Sequence, residues 1–106
     1  MMRLTAVVAL FPDLGETELL AWVERGWVHP APSDSDWEFQ EIDVARVRLI
    51  RDLRRDMAVQ EEMMPLVLSL LDQLYTLRGQ MRAVAQAVQA QDQAVRDAIL
   101  AALREA

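Results

Sequence analysis

Eight apolar side chains spaced alternately by four and three residues, Met63, Val67, Leu70, Leu74, Leu77, Met81, Val84 and Val88, constrain this chain more than anything else in it. The spacing averages 3.5 residues, which suits a helix and not a strand with its period of two, so Val59 to Val88 is expected as one long helix carrying a coiled-coil seam. Pro65 falls in its first turns, where a missing N–H costs least, and Glu61 and Glu62 suit the positive end of its dipole. Leu66 and Leu71 broaden the stripe near its start, so the first half is expected to pack on the preceding helices as well as on a partner helix. A chain of 106 residues is one domain, or a small domain with an extension, and its N-terminal half cannot cover such a seam. Self-association as a homodimer through Val67, Leu70, Leu74, Leu77, Met81, Val84 and Val88 is the expectation, with parallel and antiparallel pairing both open.

Ahead of the seam the pattern is of short elements. Thr5 is placed to cap a helix over Ala6 to Phe11, which Pro12 and Asp13 end. Gly15 and Thr17 precede a second helix bearing Leu19, Leu20, Trp22 and Val23, with Gly26 as the left-handed residue that stops it. Trp27 and Val28 seed a strand, Pro30, Pro32 and Ser33 to Asp36 make a turn-rich loop, and Trp37 and Phe39 alternate as the returning strand. Asp43 is expected to cap a helix from Val44 to about Met57, striped by Val47, Ile50 and Leu53. Beyond the seam, Gln91 breaks the pattern and Asp92 caps a last helix with Val95, Ile99, Ala102 and Leu103, expected to fold back. The fold class is mainly α, with a lobe over residues 1–57 and a helical region over 58–106. Trp22, Trp27 and Trp37 read more readily as core of the lobe than as a recognition platform.

Charge narrows the function. The net charge is −6, all eleven basic residues are Arg, and there is no cysteine. This disfavours non-specific attraction to nucleic acid or anionic membrane and removes disulfides, thiol nucleophiles and thiolate metal sites. Asp34, Asp36, Glu38, Glu41 and Asp43 put five acids on the hairpin and the helix start that follows, where a DNA-contacting hairpin needs Lys or Arg. Arg46, Arg48, Arg51, Arg54 and Arg55 share the helix after it. They form either a basic docking face or, the commoner arrangement, a solvated face with Arg48 and Asp52 as an i,i+4 pair. Ala6 to Phe11 is too short for a signal core and no stretch approaches a membrane span, so a soluble cytoplasmic protein is expected.

Catalytic groups do not converge. His29 is the only histidine, Ser33 and Ser35 lie in the turn, Ser69 and Thr76 on the long helix, and the glycines form no phosphate-cradling loop. Glu61, Glu62 and Asp72 lack the inward Glu-x-x-His pairs of bundle metal sites. No enzyme, metal or cofactor is expected.

Helix, turn, helix, hairpin wing, helix and long coiled helix, in this order and at these lengths, resemble the MerR-like winged-helix group. The junction Glu24 to Pro30, ERGWVHP, is similar to that group's turn, and WEFQEIDVARVRLIRDLR to its wing and following helix. The departures concern DNA. Leu20, Ala21 and Trp22 stand where DNA-binding members carry an arginine and two tyrosines, Glu38 or a neighbour stands for the phosphate-contacting wing arginine, and no arginine lies between Arg25 and Arg46. A nearer resemblance is to the chaperone modulator CbpM family, carried by WVHP, Trp37-x-Phe39, DVARVRLIRDLRRDM and MPLVLSLLDQLYTLRGQMR, and covering Leu4 to Val88.

That resemblance implies a modulator that binds the J-domain of a co-chaperone of the CbpA or DnaJ kind. It would cover the basic helical face through which that domain docks on a DnaK-type chaperone. A basic face calls for an acidic, partly apolar counterpart. Asp52, Asp56, Glu61, Glu62 and Asp72 are the candidate acids, with Leu68, Leu71 and Tyr75 as anchors. Each acid alone reads more readily as a solvated helix position. The alternatives are a MerR-like DNA-binding regulator and an oligomeric adaptor with no chaperone link.

Overall fold

Polar satisfaction at the end of the second helix sets the first turn of the architecture. In a computed structural model describing Met1–Ala106, β1 (Met2–Arg3), α1 (Leu4–Leu10) and α2 (Glu16–Glu24) come first, followed by β2 (Ala31–Ser33), β3 (Asp36–Phe39) and α3 (Glu41–Arg55). A 3₁₀ turn, Glu61–Met63, leads into α4 (Met64–Gln89), and α5 (Gln93–Glu105) closes the sequence. Gly26, at φ +77°, ends α2. Its N–H donates to the Val23 carbonyl at 3.0 Å and the Trp27 N–H to the Trp22 carbonyl at 3.0 Å, the paired bonds of a Schellman motif. Trp27 is thereby used as a helix terminator, which is why the strand expected at Trp27 and Val28 starts only at Ala31.

The three strands form one antiparallel sheet in the order β1-β3-β2. Asp34 and Ser35 join β2 to β3 with φ of 45° and 66°, the two-residue primed turn whose twist matches that of paired strands. Pro32, expected in the loop, sits within β2 opposite Trp37, on an edge strand where a missing N–H is tolerated. β1 was not foreseen: Met2 pairs with Phe39 and Arg3 with Glu38. That pairing holds Arg3 extended as the residue before α1, so the helix begins at Leu4 and Thr5 lies inside it instead of capping it. Asp43 likewise is not the cap of α3 but its third residue, and its carboxylate accepts the Gln40 N–H at 2.9 Å.

Two compact units result, Met1–Leu66 and Val67–Ala106. In the first, Val7, Phe11, Leu19, Trp22, Trp27, Phe39, Val47 and Ile50 are buried together with Leu53 and Met64. The α3 stripe thus faces a core, and Trp22 and Trp27 stand 6.4 Å apart within it, while Trp37 is half-buried. The stretch after α3 belongs to this unit because its backbone is tied there. The Val59 N–H donates to the Leu53 carbonyl at 2.8 Å, and Arg54 donates to the Val59 carbonyl at 2.5 Å. Ala58 makes that turn at φ +53°, a conformation that costs an alanine strain and a glycine none.

In the second unit, α5 is capped by Asp92, whose carboxylate accepts the Val95 N–H at 3.1 Å, as its spacing suggests. No residue of α5 is buried, so the expected fold-back does not cover its apolar stripe. No helix of the chain is long and apolar enough to cross a membrane.

The two left-handed positions give opposite outcomes. Gly26→Ala lowers unfolding stability by about 1 kcal/mol, from strain alone, since an added Cβ meets only the His29 ring at 3.7 Å. Ala58→Gly raises it by up to about 1 kcal/mol, part of the relieved strain being offset by unfolded-chain entropy. Urea midpoints of the two variants check both signs.

Candidate protein-binding surface

Every arginine of the Met1–Leu66 unit is engaged within the chain. Arg3 donates to the Ser33 carbonyl at 3.1 Å and lies 4.0 Å from the Asp36 carboxylate, so an arginine does reach the hairpin, from β1. Arg25 pairs with Glu61 and lies over the Trp27 ring. Along α3, Arg46 donates to the Trp27 carbonyl and Arg54 to that of Val59. Arg48 and Arg51 sit over the Phe11 ring at 5.7 Å each. The i,i+4 pair of Arg48 with Asp52 does not form; Asp52 is instead 3.7 Å from Arg51.

Asp13 is the centre of this arrangement. Its carboxylate accepts from Arg51 at 2.7 Å and pairs with Arg55 at 2.9 Å, and Arg55 also donates to the Asp13 carbonyl at 2.8 Å and to Glu18 at 2.6 Å. The hydrogen bond from Arg51 holds the Asp13 carboxyl below its ordinary value and raises the Arg51 guanidinium in return. α3 is therefore neither of the two arrangements expected of it. Four of its five arginines are hydrogen-bonded or ion-paired to α1, α2 and the turns around them, and Arg48 stays exposed beside the Phe11 ring.

The acids of the same unit fare differently. Asp13, Glu18, Asp36, Asp43, Asp52 and Glu61 have partners within the chain. Glu16, Glu24, Asp34, Glu38, Glu41, Asp56 and Glu62 make no ion pair. Thirteen acids stand against seven arginines up to Leu66, whereas four stand against four beyond it. The whole net charge of the chain lies in the first unit.

Among the candidate partner-binding residues, Asp52 is half-buried and paired with Arg51, Glu61 is paired with Arg25, and Asp56 and Glu62 are exposed and without an ion pair. Pro65, Glu61 and Glu62 line a shallow open depression with Arg25 and Trp27. In the second unit, Asp72 and Tyr75 are exposed and Leu71 is half-buried, but Leu68 is 3% exposed and shut off from solvent. The seam residues Leu70, Leu74, Leu77, Met81 and Val84 are exposed, with Val67 and Val88 half-covered. His29 is exposed in the segment before β2.

The arginine network escapes sequence reasoning because its partners lie 37 to 42 positions away and include backbone carbonyls. The one local signal is that Arg48, Arg51 and Arg55 share a helix face at steps of three and four. Comparison with known protein families, with characterised proteins and with solved structures finds no match to this chain.

The network makes stability sensitive to acid. Because the folded pKa of Asp13 lies below its unfolded value near 3.8, its contribution is complete above that value and is lost as pH falls through the folded one. Asp13→Asn removes this component: melting temperature falls at neutral pH, and the further loss below about pH 4 is shallower than in the parent chain. Thermal melts across pH 2.5 to 7, roughly the window carboxylates cover, check it.

Proposed function

We propose that this chain is a non-catalytic modulator whose acidic N-terminal unit, a winged-helix lobe of MerR-like kind, binds the basic face of a J-domain co-chaperone and blocks its docking to a DnaK-type chaperone. One observation carries the reading: Arg3, Arg25, Arg51 and Arg55 are ion-paired within that unit and Arg46 and Arg54 donate to its backbone carbonyls, while seven acids carry no ion pair. An outward field of this sign attracts a basic protein surface and repels phosphate.

The rest is consistent with it. The hairpin wing carries Asp34, Asp36 and Glu38, and Arg3, the arginine beside it, is occupied by Ser33 and Asp36. A DNA-binding wing would need that guanidinium free for a phosphate. Asp56 and Glu62 are the acids best placed to steer the encounter, being exposed and unpaired; Asp52 and Glu61 would first have to give up Arg51 and Arg25. Leu71 and Tyr75 are the accessible apolar candidates, and Leu68 is available only if its cover is removed. Steering of this kind acts on association rate, while buried anchors act on residence time.

The double variant Asp56→Arg with Glu62→Arg slows association with an isolated J-domain of the CbpA or DnaJ type by about tenfold and flattens its salt dependence. Surface-resonance kinetics across salt read both, and unchanged kinetics would remove these acids from the interface. Random duplex DNA titrated at low salt gives no anisotropy change. Salt-sensitive binding there favours the regulator reading instead.

A further inference from the structure

Two shallow depressions lie beside the end of α2, and Arg25 and Glu61 are the residues common to both. One is lined by this pair with Trp27, Glu62 and Pro65, and the other runs along α2 beside Arg54. The first has the make-up of a seat for a cationic side chain. Trp27 supplies an aromatic face, Glu61 a carboxylate, Glu62 a second acid that is exposed and without an ion pair, and Pro65 an apolar edge. A guanidinium already occupies it. The Arg25 guanidinium carbon lies 5.3 Å from the centroid of the Trp27 ring, and the same group pairs with Glu61.

This occupant is held loosely. Arg25 is the C-cap of α2, and its backbone is fixed without help from its side chain: its own N–H donates to the Ala21 carbonyl at 2.9 Å and that of Gly26 to the Val23 carbonyl at 3.0 Å. The side chain can therefore leave by rotation alone, with the helix end intact. The Arg25 and Glu61 side chains are 47% and 43% exposed, so water and salt weaken their pairing, and an exposed ion pair of this kind favours the closed arrangement by no more than about fivefold. Arg55, by contrast, is tied at once to the Asp13 carboxylate, the Asp13 carbonyl and Glu18. Of the two, Arg25 is the arginine that can be exchanged.

We propose that Arg25 fills, in the free chain, the seat that an arginine or lysine of a basic protein partner takes on binding, and so acts as a competitor built into the surface. The inference rests on the reading of this unit as the receiver of a basic protein face. Exchange of one cation for another leaves neither Glu61 nor the Trp27 face without its counterpart, which avoids a desolvated, unpaired carboxylate. A partner that brings no cation to this point cannot open the seat, so the contact discriminates among surfaces as well as attracting them. Apparent affinity is lowered by the fraction of chains in which Arg25 holds the site. Removal of Arg25 then strengthens binding, whereas a pair that merely braces the fold would weaken it when broken.

Surface-resonance titration of full chains with an isolated J-domain reads the sign. Arg25→Ala binds about fivefold tighter than the parent, the preference that the ion pair conferred. Arg48→Ala, which removes the same charge from an exposed arginine outside the seat, changes affinity by less than about twofold. In a Glu61→Gln background Arg25→Ala brings no gain. A second titration reads the seat without the partner: N-acetyl-arginine amide at millimolar concentration alters the tryptophan emission of Arg25→Ala, and not that of the parent or of Arg25→Ala with Glu61→Gln. Arg25→Ala binding no tighter than a parent that does bind overturns the proposal and leaves the modulator reading standing, as does a gain that persists with Glu61→Gln. A J-domain that binds none of the chains removes that reading instead. The amide titration then decides the seat alone, a response in Arg25→Ala that Glu61→Gln abolishes supporting it and no response overturning it.

Discussion

The carboxylate of Asp13, held between Arg51 and Arg55, is the contact on which the character of the first unit depends. It does not decide the fold by energy. Burying a Leu, Ile or Phe side chain contributes about 1.5–3 kcal/mol, and Leu19, Phe39, Val47, Ile50 and Met64 are all fully buried. The core holds the elements together; the ion pairs decide which charges face outward. With Arg51 and Arg55 paired to Asp13, Asp52 and Glu18, and Arg46 and Arg54 donating to carbonyls, most guanidinium donors of this helix are directed into the unit that carries it. A sequence count alone would have called that helix basic.

What could be read from residues was what depends on near neighbours. Gly26 as the stop of α2, a turn somewhere within Ser33 to Asp36, Asp92 as a cap and the Val47–Ile50–Leu53 stripe each rest on interactions spanning a few positions. Of the misplacements, that of Thr5 alone traces to a contact from farther along the chain. Thr5 failed as a cap because β1 pairs with β3 some 35 residues on, and Trp27 failed as a strand because its N–H was already spent on α2. Asp43 was assigned to the right helix start but the wrong position: Gln40 takes the cap, an unusual choice there, and Asp43 is its third-residue partner. The arginine partners were out of reach for the same reason as β1: no local rule pairs Asp13 with a residue 38 positions later.

The candidate site was legible only as a charge. The acids Asp52, Asp56, Glu61 and Glu62 look alike in sequence, yet two are neutralised and two are not. Leu68, Leu71 and Tyr75, one helical face by spacing, range from shut off to more than half open. Partner choice depends on these differences, which only packing supplies.

The separation of charge from apolar surface has a physical consequence for a chain whose seam is expected to pair with its own copy and whose lobe is proposed to meet a basic partner. All of the net charge lies before Val67, and the long apolar seam lies almost wholly after it. Contacts steered by exposed charge weaken as salt shortens the Debye length, whereas burial of Leu and Met side chains does not depend on it and is, if anything, strengthened by excluded salts. The two contacts therefore answer to different variables. A single surface asked to do both would trade one against the other: acids beside the seam would repel an identical helix, and leucines among the acids would have to be desolvated before a basic partner could be steered in. Placing Gln and Ala along the seam and leaving the acids on the lobe removes that conflict, so that identical chains are not discouraged from pairing by the charge that attracts a different one.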